Sequence, residues 1–376
     1  MGFFNINFEK INLSRRLNHK IENKEQKENL ENIYENILQH SFYVDKGRNG
    51  IITKINFKSV SQKELKILFN LNNDFFEKTN TTQQGIALKL LKIYTQGEGK
   101  KEFELQKEAI KILNTKLGVA KIPPLIAFRE IIITHNELKR KLKYWGVKLP
   151  QVKFKKEIVD KYLLDQEYYD EIEYLKLPLN VQRKIKIETN FSFPQVKIEV
   201  LAMNYIKGED LGKILLKEVL LRHNQCHLSF SEINEMHFDR LMEKTEKLLN
   251  FKKIDWENFY SANSQKQLLI KQKLREENAQ KMIHFLKKTN YHFNPDWLRK
   301  IRRSIQLLHN HNIYHRDLHE RNIIIANNGE VYIIDFGNGI KVNDEVKKEE
   351  DIYKNNEKKI QYIRDEKIIK RYQALL

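Results

Sequence analysis

The sequence of 376 residues is poor in cysteine, proline and glycine, with one Cys (Cys226), six Pro and 13 Gly. A single cysteine excludes an internal disulfide framework and a cysteine-based zinc cluster. So little proline and glycine excludes collagen-like chains and chains made mostly of linker. No apolar run reaches the roughly 18 residues of a membrane-spanning helix, and Met1 to Ile6 lack the features of a secretory signal peptide. These absences predict a soluble protein of a reducing compartment. We expect that compartment to be the cytoplasm, or another one reached without a classical signal peptide.

Charge is abundant but not concentrated. Lys and Arg number 68 against 50 Asp and Glu, which gives a formal net charge of +18. Basic residues are interspersed with acidic ones, as in residues 24–28 and 275–277, and aromatic residues do not interleave with them in a nucleic-acid-binding pattern. This distribution is typical of solvated helix faces. We therefore expect nucleic acid to bind by nonspecific electrostatic attraction at most.

Apolar spacing divides the chain into helical and strand-like stretches. Helical patterns cover residues 1–39, a stretch that begins at Ser61, and residues Glu102 to Asn114. Two further helical regions are rich in charge: an inserted segment at about 131–190, and residues Ser229 to Thr289. Strand patterns cover residues 41–57, 85–91 and 191–206. Ser229 and Glu232 have the spacing of a capping box, which predicts a helix start at that point.

The clearest signals lie in residues 294–337. Asn294 and Pro295 predict the start of a helix, because proline is favoured at the first helical position. Two apolar runs, 323–326 and 331–334, are joined through Asn-Asn-Gly-Glu and predict a β-hairpin.

Two short motifs flank this hairpin. His-Arg-Asp-Leu-His-Glu-Arg-Asn, residues 315–322, precedes it, and Asp335-Phe336-Gly337 ends its second strand. They resemble the catalytic loop H-R-D-x-x-x-x-N and the D-F-G motif of protein kinases. The chemistry fits the resemblance, because phosphoryl transfer needs a carboxylate to orient or deprotonate the attacking hydroxyl and oxygen ligands for Mg²⁺. The resemblance implies that Asp317 is the catalytic base or the group that orients the attacking hydroxyl, and that Asn322 and Asp335 bind metal.

The resemblance assigns roles to residues further upstream. Ile86-Ala87-Leu88-Lys89 is similar to the kinase V-A-I-K strand, so Lys89 is expected to contact the α- and β-phosphates of ATP. Glu108, or alternatively Glu104, is expected to pair with Lys89. The remaining expected nucleotide contacts are the turn residues Gly47 and Gly50, the gatekeeper Met203, the hinge backbone of Asn204 and Ile206, the ribose contact Asp210, and His319.

Several features depart from the family pattern. His319 stands where Ser/Thr kinases carry a lysine, and an imidazole with a pKa near 6.5 would make a pH-dependent contribution to binding the transferred phosphate. Asp45 replaces the first glycine of the Gly-rich loop. The residues after Gly337 contain no A-P-E motif, no Ser and no Thr, which leaves Tyr353, Tyr362 and Tyr372 as hydroxyls for activation by phosphorylation. The stretch 351–353 is similar to the Asp-bearing helix that supports the catalytic loop in compact kinases.

The resemblance implies an α+β, bilobal protein-kinase-like fold, with a β-rich N-lobe and a helical C-lobe whose C-terminal part is truncated. We expect an N-terminal helical extension (1–40), an N-lobe (41–206) with an insertion at about 131–190, and a C-lobe (207–376) with a helical insertion at about 213–293. The implied function is ATP- and Mg²⁺-dependent phosphorylation of protein Ser/Thr hydroxyls. The alternatives are a kinase of a small molecule or glycolipid, as in the aminoglycoside or lipopolysaccharide-core type, and a pseudokinase scaffold.

Overall fold

The computed structural model describes residues 33–46, 50–55, 85–91, 97–261, 263–342 and 365–375. The chain divides into two compact units. Unit 1 comprises residues 1–103 and 125–205, and unit 2 comprises residues 104–124 and 206–376. Both helices and strands are abundant, so the predicted α+β class is confirmed. The expected lobe boundary at 206/207 lies one residue from the division between the units.

Unit 1 is built on an antiparallel sheet with the strand order β1-β2-β3-β7-β4. Its strands are β1 (Ser41–Lys46), β2 (Gly50–Ile55), β3 (Ile86–Leu91), β4 (Leu125–Ile133) and β7 (Val196–Asn204), and β5 (Gln151–Lys153) pairs with β6 (Tyr168–Asp170) in a separate ribbon. The predicted strands at 85–91 and 191–206 are therefore present as β3 and β7. β3 is buried along its whole length, which agrees with its nearly continuous apolar sequence.

In the described part of unit 1, two helices precede β4 in the chain, and four lie between β4 and β7. They are α1 (33–40), the first part of α2 (Glu98–Leu113), α3 (Asn136–Tyr144), α4 (Lys156–Tyr162), α5 (Glu171–Tyr174) and α6 (Leu179–Thr189). The segment predicted as an insertion at about 131–190 is largely helical, and β4 continues to Ile133 as a strand of the main sheet before the helices begin. The inserted segment has a core of its own around Phe154, Tyr169 and Ile185.

Unit 2 is mostly helical. Its helices are the remainder of α2, α7 (Leu211–Arg222), α8 (Phe230–Glu235), α9 (Phe238–Leu248), α10 (Trp256–Tyr260), α11 (Ser264–Lys288), α12 (Pro295–Asn310) and α13 (365–373). Its short strands are β8 (Gly208–Asp210), β9 (Ile313–Tyr314), β10 (Ile323–Ala326), β11 (Val331–Ile333) and β12 (Ile340–Lys341). No helix in the described parts of the chain is long and apolar enough to cross a membrane.

Local sequence explains the best-defined elements of unit 2. The Ser229 and Glu232 side chains form the predicted capping box at the start of α8. α12 begins at Pro295, as predicted, with Asn294 as the N-cap, and buries one stripe that includes Leu298, Ile301 and Ile305. β10 and β11 form the predicted hairpin, with Ile323 opposite Ile333. β8 joins the hairpin as a third strand at Gly208, where a Cβ would approach the Ile325 carbonyl oxygen to 2.2 Å.

Candidate active site

Lys89 lies on β3 in unit 1, and its side chain is buried. Its Nζ donates hydrogen bonds to both carboxylate oxygens of Glu102, at 2.7 and 2.8 Å. Glu102 is on α2 and is 3% exposed, against 4% for Lys89. Loss of either partner would leave a charge in a site with little access to water, which is strongly unfavourable. The pair therefore fixes the position of the Lys89 ammonium.

The expectation that Glu108 or Glu104 pairs with Lys89 is wrong. Glu108 forms an ion pair with Lys341, with 2.8 Å between Oε2 and Nζ, and its side chain is 42% exposed. Glu104 lies 4.0 Å from Lys107 and is 58% exposed. The physical reason is helical rotation: at about 100° per residue, a position six residues after Glu102 faces a different side of α2.

The start of α2 is held by a second buried carboxylate that the sequence did not reveal. Glu199, on β7, accepts hydrogen bonds from the backbone N–H groups of Gly97 and Gly99, at 2.6 and 2.9 Å. These N–H groups lie at the helix N-terminus, where they lack partners within the helix and favour an anion. A Cβ at Gly99 would lie 2.7 Å from Oε2 of Glu199 and would overlap Cδ1 of Leu91, so a larger residue would have to displace these side chains. Glu199 thereby places α2 so that Glu102 reaches Lys89.

The catalytic-loop motif lies in unit 2 and is held by a carboxylate from α13. Asp365 accepts hydrogen bonds from the backbone N–H groups of His315 and Arg316, at 2.9 and 2.8 Å. It also lies 3.0 Å from Nε2 of His309 and is 1% exposed. Among the described residues this is the carboxylate that supports the loop. The stretch 351–353, to which the sequence assigned that role, lies outside the described residues.

Both motifs contain a residue in the left-handed region of backbone conformation. Arg316 has φ of 66° and Asp335 has φ of 65°. Such conformations cost about 1–3 kcal/mol each for a residue with a side chain and are concentrated at functional sites. His315 connects the two motifs, because its Nε2 lies 2.9 Å from the Ile334 carbonyl oxygen and its ring packs against Phe336. The loop and the D-F-G segment are therefore held together.

Asp317 is oriented by two amide side chains. Asn322 donates from Nδ2 to the Asp317 carbonyl oxygen at 2.8 Å, and Asn338 donates from Nδ2 to Oδ2 of the Asp317 carboxylate, also at 2.8 Å. Asn322 follows the motif spacing, whereas the sequence did not indicate Asn338. Asn338 directly follows the D-F-G motif, which is the signal that would have found it. The second oxygen of the Asp317 carboxylate, Oδ1, is outside the Asn338 bond.

The residues expected to bind metal fit Mg²⁺ in their chemistry. Asn322 and Asp335 offer amide and carboxylate oxygens, which are the ligands that Mg²⁺ prefers. Asn322 uses its Nδ2 for Asp317, so its Oδ1 is outside that bond. Within the described residues, no group of three or more His, Cys, Asp and Glu side chains is placed to hold a metal. Mg²⁺ is commonly bound by one or two protein oxygen ligands together with phosphates and water, and Asn322 and Asp335 suit such an ion.

His319 has a structural contact in the loop. Its Nδ1 accepts a hydrogen bond from the Arg321 backbone N–H at 3.2 Å, which caps the 3₁₀ turn Glu320–Asn322. Burial lowers the pKa of His319 below 6.5, although the nearby Asp317, Glu320 and Asp335 carboxylates act in the opposite direction. The imidazole is therefore mostly neutral at pH 7.

Glu320 anchors the loop to α13 at a second point. It accepts hydrogen bonds from Arg371 and from the Tyr372 hydroxyl, and Arg371 also contacts Glu276 at 2.9 Å. Burial alone would raise the pKa of Glu320, but the Arg371 guanidinium and the Tyr372 hydroxyl hold it below its usual value. Tyr372 is 1% exposed, so in this structure it is not the accessible phosphorylation site that the sequence left open.

The remaining predicted nucleotide contacts occupy the ends of strands. Met203 and Asn204 end β7, where they pair with Ala87 and Ile86. Asp210 ends β8 and caps α7 by accepting a hydrogen bond from the Lys213 N–H at 2.9 Å. Gly50 begins β2, whereas Gly47 lies outside the described residues.

Comparison with known proteins agrees with the motifs. Residues 257–374 match the family model of the protein kinase domain. This stretch contains the catalytic loop, the D-F-G motif and Asp365, and it does not include Lys89. No curated protein matches the chain. The match covers about a third of the chain, and it supports a phosphotransferase of the kinase superfamily.

Proposed function

We propose that this chain transfers the γ-phosphoryl group of ATP to a hydroxyl of a protein, with serine or threonine as the acceptor. The observation that carries the proposal is the position of Asp317. Its carboxylate accepts a hydrogen bond from Asn338, its carbonyl is held by Asn322, and the preceding residue is fixed by Asp365. A carboxylate fixed in this way is suited to orient a hydroxyl for attack.

Asp317 acts on the acceptor hydroxyl. Its carboxylate accepts the hydroxyl proton as the acceptor oxygen bonds to the γ-phosphorus, while the bond from that phosphorus to the β–γ bridging oxygen breaks and ADP leaves. Positioned general bases contribute about 10²–10⁴ in rate. The hydrogen bond from Asn338 to Oδ2 directs Oδ1 to the acceptor.

We assign nucleotide binding to residues whose side chains or backbone are held by contacts within their own unit. Lys89, paired with Glu102, contacts the α- and β-phosphates. Asn322 and Asp335 bind Mg²⁺, which neutralises phosphate charge when it is present. Asp335 is preset for this role by its left-handed backbone conformation.

The adenosine part of ATP is assigned to the strand ends. The backbone of Asn204 and Ile206 contacts the adenine edge beside Met203, and Asp210 contacts the ribose. Gly50, at the start of β2, is assigned to the phosphates, and the same role for Gly47 stays a prediction from the sequence. His319, being mostly neutral, supports the 3₁₀ turn that carries Asn322.

The test is phosphotransfer from radiolabelled ATP with Mg²⁺ to a pool of proteins. We expect label on protein Ser and Thr, identified by phosphoamino-acid analysis, and its loss with Asp317→Asn and with Asp335→Ala. Asp239→Asn is the matched control, because Asp239 is an exposed aspartate on α9. Label that persists in both active-site variants would exclude the proposal.

A second candidate is a kinase whose acceptor is a small molecule or a glycolipid. The observation that favours it is His319, since Asp-Leu-His in the loop is similar to the aminoglycoside-kinase type. The same assay separates the two, because a metabolite or lipid fraction would then carry the label in place of protein. Nucleotide binding without turnover would instead indicate a pseudokinase scaffold.

A further inference from the structure

α11 and α13 leave an open groove on unit 2 that has no role in the chemistry above. Its volume is about 490 Å³. The residues that line the groove are Glu276, Gln280, Ile283, His284 and Lys287 of α11, and Lys367, Lys370, Arg371 and Ala374 of the C-terminal segment. We call it the α11–α13 groove.

The charge of this groove is strongly positive. Four lysine and arginine side chains face one carboxylate, Glu276, and that carboxylate is already paired with Arg371 at 2.9 Å. No ion pair within the described parts of the chain neutralises Lys287, Lys367 or Lys370. Three lysines of like sign in one groove repel one another, and an anionic occupant would relieve this repulsion.

The dimensions favour an extended polypeptide. Glu276 and Lys287 are eleven residue steps apart on α11, which spans about 16 Å at the rise of an α-helix. About five residues of extended chain cover the same distance. The floor contains the apolar side chains of Ile283 and Ala374, which suit alternate side chains of such a peptide. Among the described residues that line the groove there is no Phe, Tyr or Trp, so it lacks the surfaces on which nucleic-acid bases stack.

We propose that the α11–α13 groove binds an extended acidic segment of a partner protein. Glutamate and aspartate side chains pair with Lys287, Lys367 and Lys370, and an intervening apolar side chain packs on Ile283. The site adjoins Arg371, whose guanidinium also holds Glu320 of the catalytic loop. Binding at the groove does not require phosphotransfer, so the peptide-binding assay tests this proposal independently of the proposed reaction.

The test is fluorescence anisotropy with the full chain and a labelled decapeptide in which glutamates alternate with leucines. We expect Lys367→Glu with Lys370→Glu to weaken affinity by at least about tenfold, because each change replaces an attraction with a repulsion. Lys287→Glu is expected to weaken it in the same direction. Lys288→Glu is the matched control: it is an exposed lysine on the same helix that does not line the groove, and it should leave the affinity within about twofold.

Three results would overturn the proposal. The first is equal loss of affinity in the Lys288 and the Lys367/Lys370 variants, which would mean that net charge alone attracts the peptide. The second is equally tight binding of a peptide with glutamine in place of glutamate. The third is tighter binding of a single-stranded RNA of equal charge that the Lys367/Lys370 variant also abolishes, which would assign the groove to nucleic acid. The four substituted lysines, Lys287, Lys288, Lys367 and Lys370, are all exposed, and the melting temperature of each variant verifies folding.

Discussion

Lys89 in unit 1 and the catalytic loop in unit 2 are both held by a carboxylate outside the motif, but the two carboxylates do different things. Glu102 binds the side chain of Lys89 in a buried ion pair. Asp365 binds the main chain of His315 and Arg316 and so supports a left-handed turn. One carboxylate positions a charge, and the other determines the path of the backbone. We therefore expect loss of Glu102 to affect nucleotide contacts, and loss of Asp365 to disorganise the whole loop.

Asp365→Ala is expected to have the largest effect on stability. It removes the acceptor of the buried His315 N–H, of the part-buried Arg316 N–H and of His309, and each orphaned buried donor costs about 1–3 kcal/mol. Urea unfolding should show a loss of about 5 kcal/mol, with phosphotransfer falling to background. Asp365→Asn keeps one acceptor oxygen and should lose clearly less. Equal stability of Asp365→Ala and the unaltered chain would show that the loop holds its turn without α13.

Glu102→Gln should lower stability by about 3 kcal/mol, because it leaves the buried Lys89 ammonium without a countercharge. It should also raise the KM for ATP. Glu108→Gln is the matched control on the same helix, and the loss of its exposed pair should change stability by less than about 0.5 kcal/mol. Urea unfolding and ATP titration of both variants show whether Glu102 or Glu108 is the partner of Lys89. A larger effect of Glu108→Gln would restore the assignment made from the sequence.

Asn338→Ala tests how the carboxylate of Asp317 is oriented. We expect kcat to fall about tenfold with the KM for ATP within twofold, since the amide contacts the catalytic carboxylate and a lost hydrogen bond to a charged group costs roughly 1.5 kcal/mol or more. Asn338→Ser, which keeps a donor, should recover part of the rate. Asn338→Asp should be slower than the alanine variant because it places a second carboxylate beside Asp317. A uniform loss in all three variants would mean that Asn338 is only structural.

His319→Gln is expected to have the smallest effect. Since burial holds the pKa of His319 below 6.5, the ring is mostly neutral at pH 7.5, and kcat should change less than about threefold. Below about pH 6.5 the unfolded chain takes up a proton at His319 that the folded chain resists, so the free energy of unfolding falls as the pH falls. His319→Gln should remove this part of the pH dependence. A rate that rises on acidification only when His319 is present would show instead that its cation contributes to catalysis.

The features that could be predicted from the sequence are those that depend on residues close together in the chain. The catalytic loop, the D-F-G motif and the β10–β11 hairpin lie within one short stretch, so their spacing specifies their local structure. The start of α12 follows in the same way from Asn294 and Pro295.

The contacts that hold these motifs were not predictable from local pattern. Glu102 and Glu199 act through the rotation and placement of α2, and Asp365 reaches His315 from fifty residues away. Each is an ordinary acidic residue in a chain with many, and only the tertiary fold selects it. Asn338 came nearest to being predictable, because it directly follows the D-F-G motif. Nothing in the motif itself, however, distinguishes that position from its neighbours.

The measurement that tests the central claim most directly is transfer of labelled γ-phosphate from Mg-ATP by the full chain, with Asp317→Asn beside it. We predict transfer to protein hydroxyls by the unaltered chain and a loss of about 10²–10⁴ in the variant. The Asp239→Asn control should match the unaltered chain. Transfer at equal rates with and without the Asp317 carboxylate, or no transfer to any acceptor, would contradict the account.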